Sequence, residues 1–197
     1  ETEPARISGL LTEAGFGRSA VTVLDALGGP HERVRTTLAQ AFDFENINPL
    51  NVLALDILAD ENARIVPLTP GLPDELFDHD GQITKREIRA LTLAALAPRR
   101  GELLWDIGAG SGSVGIEWML ADPSLSAIAV EADPIRGARI ADNAALMGVP
   151  GLTIRVGRAP QVLEKLEQPD AIFIGGGGTE DGVVDAAIAA LKPGGRL

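Results

Sequence analysis

Apolar positions fall into two regimes along the chain, divided by a proline-rich stretch. Upstream, Ala5–Ala14 carries apolar residues at helical spacing and predicts a short helix. A turn at Gly15-Phe16-Gly17 then leads into the alternating Ala20–Asp25, a predicted strand. Gly28-Gly29-Pro30 breaks the chain, His31–Phe42 is assigned to a helix, and Leu50–Asp56 to a second strand. Residues 1–65 therefore form a partial α/β piece, too small to be a comfortable domain alone. Prolines 67, 70 and 73 and the acidic Asp78-His79-Asp80-Gly81 interrupt any periodicity, so residues 66–82 read as a linker.

From residue 83 the pattern is regular. A helix over Thr84–Ala97 precedes a strand at Leu103–Ile107, and a helix at Ser113–Leu120 precedes a strand at Ala127–Glu131. Asp133-Pro134 supplies an N-cap with proline in the first helical position, so a helix follows to Met147. Strand Leu152–Val156, helix Pro160–Leu166, strand Ala171–Ile174 and helix Glu180–Leu191 complete the series, and Lys192-Pro193-Gly194-Gly195 should turn into a fifth strand. Short apolar strands alternating with helices predict an α/β fold, Rossmann-like, with a mostly parallel doubly wound sheet over residues 83–197. Right-handed crossovers then place the ligand-binding loops at the carboxyl ends of the strands.

Composition narrows the chemistry. The 197 residues contain no cysteine and two histidines, His31 and His79, which excludes thiolate chemistry and leaves no metal site to expect. A net charge of −11 opposes a polyphosphate partner, so no nucleic acid is expected. No apolar run approaches the roughly 18 residues of a membrane span, and no basic leader precedes one, so the expected setting is the cytoplasm, away from membranes.

Asp106-Ile107-Gly108-Ala109-Gly110-Ser111-Gly112 follows a strand and opens a helix, where a backbone must pass close to a ligand without Cβ atoms in the way. The glycines alone fit two cofactors, because Gly110 to Gly115 also matches the dinucleotide pattern G-x-G-x-x-G. Asp106 favours S-adenosylmethionine: a carboxylate suits its cationic end and would repel a pyrophosphate. Glu131, 19 residues after Gly112 at the next strand end, fits the ribose hydroxyls of either cofactor. Gly157-Arg158-Ala159 ends the third strand, where a small residue lets backbone groups meet an adenine edge. Gly175, Gly176, Gly177 and Gly178 offer a floor free of side chains for a large flat substrate. Thr84, Lys85, Arg86 and Arg89 open the helix before the first strand, with groups that could cover the cofactor or clamp substrate carboxylates.

Asp80-Gly81-Gln82-Ile83-Thr84-Lys85, Leu104-Trp105-Asp106 to Gly112, and Ile172-Phe173-Ile174 with the four glycines closely resemble the decarboxylating precorrin-6B C15-methyltransferases of cobalamin synthesis, a class I S-adenosylmethionine-dependent family. Upstream, Gly15-Phe16-Gly17, Gly29-Pro30-His31-Glu32-Arg33-Val34 and Leu50 to Leu55 look like the second lobe of the tetrapyrrole methylases that act on carbon 5. Fused in this order, they resemble the C5,15-methyltransferase (decarboxylating) family. That resemblance implies S-adenosylmethionine as cofactor, a precorrin as substrate, and cofactor contacts at Thr84, Gly108, Ala109, Gly110, Ser111, Gly112, Glu131 and Ala159. A side-chain bond from Arg158 to adenine is not implied, since many relatives carry an acid there. A homo-oligomer is also expected. The resemblance further implies that a first methylase lobe precedes Glu1 and that the last strands of the sheet follow Leu197.

Overall fold

The computed structural model describes residues 3–61, 63 and 65–197. The chain forms two compact units divided between Ile65 and Val66.

In the first unit, helix α1 (Pro4–Glu13) starts with proline in its first turn. An antiparallel three-stranded sheet follows, with β1 (Ala20–Asp25) between β2 (Arg33–Leu38) and β3 (Asn51–Asp56). The helix expected over His31–Phe42 is not there, because strand β2 occupies it. Val34, Thr36 and Thr37 are β-branched and lose rotamer freedom in a helix, and the alternation in Arg33-Val34-Arg35 places both guanidiniums on one face. Those guanidiniums reach Asp25, fully buried across the hairpin, at 3.0 Å and 2.9 Å. A helix would scatter the pair and leave that carboxylate unpaired, a costly outcome.

The second unit is built on a parallel sheet of order β6-β5-β4-β7. Its elements in chain order are α2 (Arg86–Leu96), β4 (Leu103–Ile107), α3 (Ser113–Ala121), β5 (Ser126–Glu131), α4 (Pro134–Leu146), β6 (Thr153–Val156), β7 (Ala171–Ile174) and α5 (Val183–Ala190). All five residues of β4 are buried, as expected of a strand covered on both faces. Leu104 points into a core with Leu93, Ile116, Trp118, Ala129 and Ile140, beneath α2, α3 and α4. Trp105 and Ile107 point the other way, towards Ile128, Val130, Ile172, Val183 and Ala187 under α5. Each large side chain so buried contributes roughly 1.5–3 kcal/mol. Beyond β7, Arg196 forms a parallel bridge to Ala171, so pairing with a fifth strand begins where the sequence places it.

Three expected elements differ. Pro160–Leu166 tightens to a 3-10 turn at Gln161–Lys165, a short segment of the kind that geometry favours. The last helix begins at Val183 rather than Glu180, because Gly182, with φ +79°, holds a left-handed entry. Residues 66–82 are no free linker: Leu72 and Phe77 are core residues of this unit, 2% and 4% exposed. What pins the segment is Glu117 on α3, whose carboxylate accepts the amides of Gly71 at 2.6 Å and Leu72 at 3.0 Å. Among the described residues no helix is long and apolar enough to cross a membrane, and no three metal-ligating side chains come together.

Candidate functional site

A cavity of about 380 Å³ opens at the carboxyl ends of β4, β5, β6 and β7. Loop formation there follows from β4's position between β5 and β7, since both neighbours leave the sheet at the same edge. Gly108 and Ala109 both donate to Val130 O, at 2.9 Å and 3.1 Å, which bends the chain out of the sheet. At Gly108, φ is +70°, and an added Cβ would lie 2.5 Å from the carbonyl oxygen of Gly176, so any side chain is excluded twice over.

The loop's carboxylate anchor comes from the neighbouring strand. Glu131, 6% exposed, accepts the Gly110 amide at 2.9 Å through Oε2 and the Asp133 amide at 3.0 Å through Oε1. Its side chain thereby fixes the glycine loop and the start of α4 while facing the cavity. On the third strand end, Gly157, Arg158 and Ala159 line the wall, and Gly175, Gly176 and Gly177 line the floor. Gly81, Gln82, Ile83 and Thr84 line it from the segment before α2.

Of the sequence-predicted positions, Thr84, Gly108, Ala109, Gly110, Glu131, Arg158, Ala159, Gly175, Gly176 and Gly177 meet on this one cavity. Seven others lie outside its lining, Gly178 at the end of the glycine run among them. Asp106 is 1% exposed and turned back beneath its own loop, Oδ2 accepting the Gly115 amide at 3.0 Å at the start of α3. Burial pushes its carboxyl up to about 7, the Gly115 amide opposing and the Glu131 charge adding to the rise. Ser111 is buried to 1% and Gly112 closes against Ile140, so both support the loop from behind.

The three basic candidates also separate from the cavity. Arg89 is not a substrate clamp: it is fully buried, bonded to Glu117 and Asp74 at 2.7 Å each and to the carbonyls of Thr84 and Leu72, with Phe77 4.9 Å below its guanidinium. Four of its five N–H groups are spent on structure. Lys85 is exposed and 3.5 Å from Asp74, and Arg86 is exposed at the first position of α2.

Arg136 and Glu180 line the cavity and were missed by sequence reasoning. A signal existed for Arg136, since Asp133-Pro134 starts a helix directly after Glu131 and aims the next residues at the same strand edge. Arg136 Nε bonds Asp80 at 2.9 Å, holding that carboxyl well below its usual range together with the Gln82 amide. Glu180 faces Arg158 across 3.6 Å.

The precorrin methyltransferase domain family matches residues 75–197. A precorrin-6Y C(5,15)-methyltransferase (decarboxylating) from Sinorhizobium is 63% identical over 194 residues, covering 98% of this chain and 47% of that protein. The chain thus spans about half the length of that relative. A cobalt-precorrin-6B C(15)-methyltransferase (decarboxylating) from Salmonella typhimurium is 38% identical over 129 residues, covering 64% of this chain and 66% of that protein. Among solved structures, the C-terminal domain of precorrin-6Y C5,15-methyltransferase from Rhodobacter capsulatus is 50% identical with a TM-score of 0.61, covering 66% of this chain and 69% of that one. The parallel sheet with its helices is the Rossmann-like fold of S-adenosylmethionine-dependent methyltransferases. A nicotinamide-dependent oxidoreductase, the other cofactor the glycines allow, finds no support among these relatives.

Proposed function

The chain belongs to the precorrin methyltransferase family, and we propose from that premise that its second unit methylates carbon 15 of precorrin-6B from S-adenosylmethionine, with decarboxylation of the ring C acetate. In the complete protein we assign carbon-5 methylation to the methylase lobe of which residues 1–65 are part. The observation that carries the reading is the convergence of Glu131, the Gly108–Gly110 backbone and Ala159 on one cavity of about 380 Å³.

The residues present suit the cofactor. The Gly108–Gly110 backbone lines the cavity, Glu131 offers a carboxylate to paired hydroxyls, and Ala159 leaves backbone groups open to an adenine edge. When bound, S-adenosylmethionine supplies an electrophilic methyl group on a sulfonium centre. The protein's work is alignment, which alone removes a large part of such a barrier. Gln82, Ile83 and Thr84 line the wall that would cover the methionine end, and the Gly175–Gly177 floor would let a flat macrocycle approach. Arg158, exposed and bound only loosely to Glu180, supplies a cation for substrate carboxylates. The carbon–carboxyl bond of the acetate breaks with its electron pair received by the conjugated macrocycle, so no protein nucleophile is needed. A homo-oligomer working in the cytoplasm completes the proposal, and sedimentation of the complete protein tests its assembly.

Turnover of precorrin-6B by the complete protein, followed by methyl label in the product and release of carbon dioxide, tests the reaction. Loss of both in Glu131→Ala is expected. Calorimetry in which NAD(H) binds and S-adenosylmethionine does not would overturn the reading.

A further inference from the structure

The strip that covers the cavity and the glycine loop that walls it are joined by a side chain that lies outside the cavity lining. Asn143 on α4 is 1% exposed. Its Nδ2 donates to Asp78 O at 2.9 Å and to Ser111 O at 3.0 Å, while its Oδ1 accepts the Asp78 amide at 2.9 Å. Asp78 lies three residues before Gly81, the first lining residue of the strip, and Ser111 directly follows Gly110. The two walls also meet face to face, since a Cβ on Gly110 would lie 3.0 Å from Gln82 O.

Asn143 shares its helix face with the buried Gly137, Ile140 and Ala144, where an amide is costly unless its donors and acceptor are satisfied. They are satisfied only while strip and loop hold this register. The strip's other ties to α4 are the pairs of Asp80 with Arg136 and Arg139 and of Asp78 with Arg139, all partly exposed and therefore weak. Burial makes Asn143 the directional tie among them.

We propose that Asn143 is a positioning residue for the cofactor, locking the strip Asp78–Thr84 to the glycine loop so that both walls are ordered together before a ligand arrives. The role rests on the cavity being the S-adenosylmethionine site. Preorganised walls raise affinity because less ordering remains to be done on binding.

Asn143→Asp keeps the size but turns an oxygen towards two carbonyls in place of the donor, and Asn143→Ser withdraws the reach with less repulsion. In ligand-free protein, hydrogen–deuterium exchange over residues 78–84 and 109–112 is expected to rise together, by about tenfold for the loss of one or two buried bonds, with α2 and α5 unchanged. Calorimetry with S-adenosylhomocysteine is expected to give about tenfold weaker binding in both variants. Faster exchange in the strip alone, faster exchange throughout the unit, or raised exchange with unaltered affinity each overturns the role. Should the Asp variant not fold, the Ser variant decides by the same readouts. Failure of the unsubstituted protein to bind S-adenosylhomocysteine would sink the cofactor reading, whereas the link between strip and loop is still judged by the ligand-free exchange.

Discussion

Glu131 Oε2 accepts the Gly110 amide at 2.9 Å, so the carboxylate that faces the cavity also sets the loop beside it. With Oε1 committed to Asp133, both oxygens act as acceptors of backbone N–H groups. Glu131→Gln keeps the shape but turns an NH₂ towards one of those donors. Affinity for S-adenosylhomocysteine is expected to fall about tenfold to a hundredfold, read by calorimetry, with the fold retained by circular dichroism. Undiminished affinity would remove Glu131 from the site.

Gly108→Ala places a methyl 2.5 Å from a backbone oxygen that no rotamer change can move. Adding the strain of φ +70°, a stability loss of about 2–4 kcal/mol is expected in urea unfolding, together with loss of cofactor binding. A variant as stable as the parent would show that the Gly108–Gly176 approach is looser than described.

Arg89→Met leaves the Glu117 carboxylate buried without its cation, and about 3–5 kcal/mol of stability should be lost by urea titration. Adding Glu117→Gln to that variant should cost less than Glu117→Gln alone, since the two positions are in contact. Strictly additive losses would argue that the pair is not coupled.

Asp106 gives stability a pH dependence of known sign. Its folded carboxyl titrates near 7 instead of its ordinary 3.8, so between those values the folded chain holds a proton that the unfolded chain has released. The associated stability is complete below the lower value and drains away as pH rises through the upper one, at up to about 1.4 kcal/mol per unit. Asn cannot titrate. Asp106→Asn should therefore flatten the fall in unfolding free energy between about pH 4 and about pH 7, and curves running parallel to the parent's would contradict the assignment.

How far the sequence could be read depended on whether a residue's partners were local. Strands β4, β5 and β7 were legible because apolar runs stop at glycine or at an acid, and α4 because Asp133-Pro134 is a cap that acts within its own turn. Prolines 67, 70 and 73 look alike in a tether and in a packed strap, and only the distant Glu117 tells them apart. That residue did carry a trace, a lone charge within the apolar Val-Gly-Ile-Glu-Trp-Met of α3. Arg89 sits on an amphipathic helix where a solvated face is the ordinary reading, and its burial against Phe77 depends on chain 12 residues upstream. Strand β2 was mistaken for a helix because its pairing with Asp25 lies across a hairpin.

At the meeting of Gly108 and Gly176 both partners are already the smallest residue there is, so neither can shrink to make room for a change in the other. Gly108 is thus fixed as bare backbone on that side of the cavity. Retuning of what the cavity accepts falls to the positions around it that carry long or polar side chains, Gln82, Thr84, Arg136, Arg158 and Glu180 among them, which makes those five the natural dials for changing its ligand preference without remaking the fold.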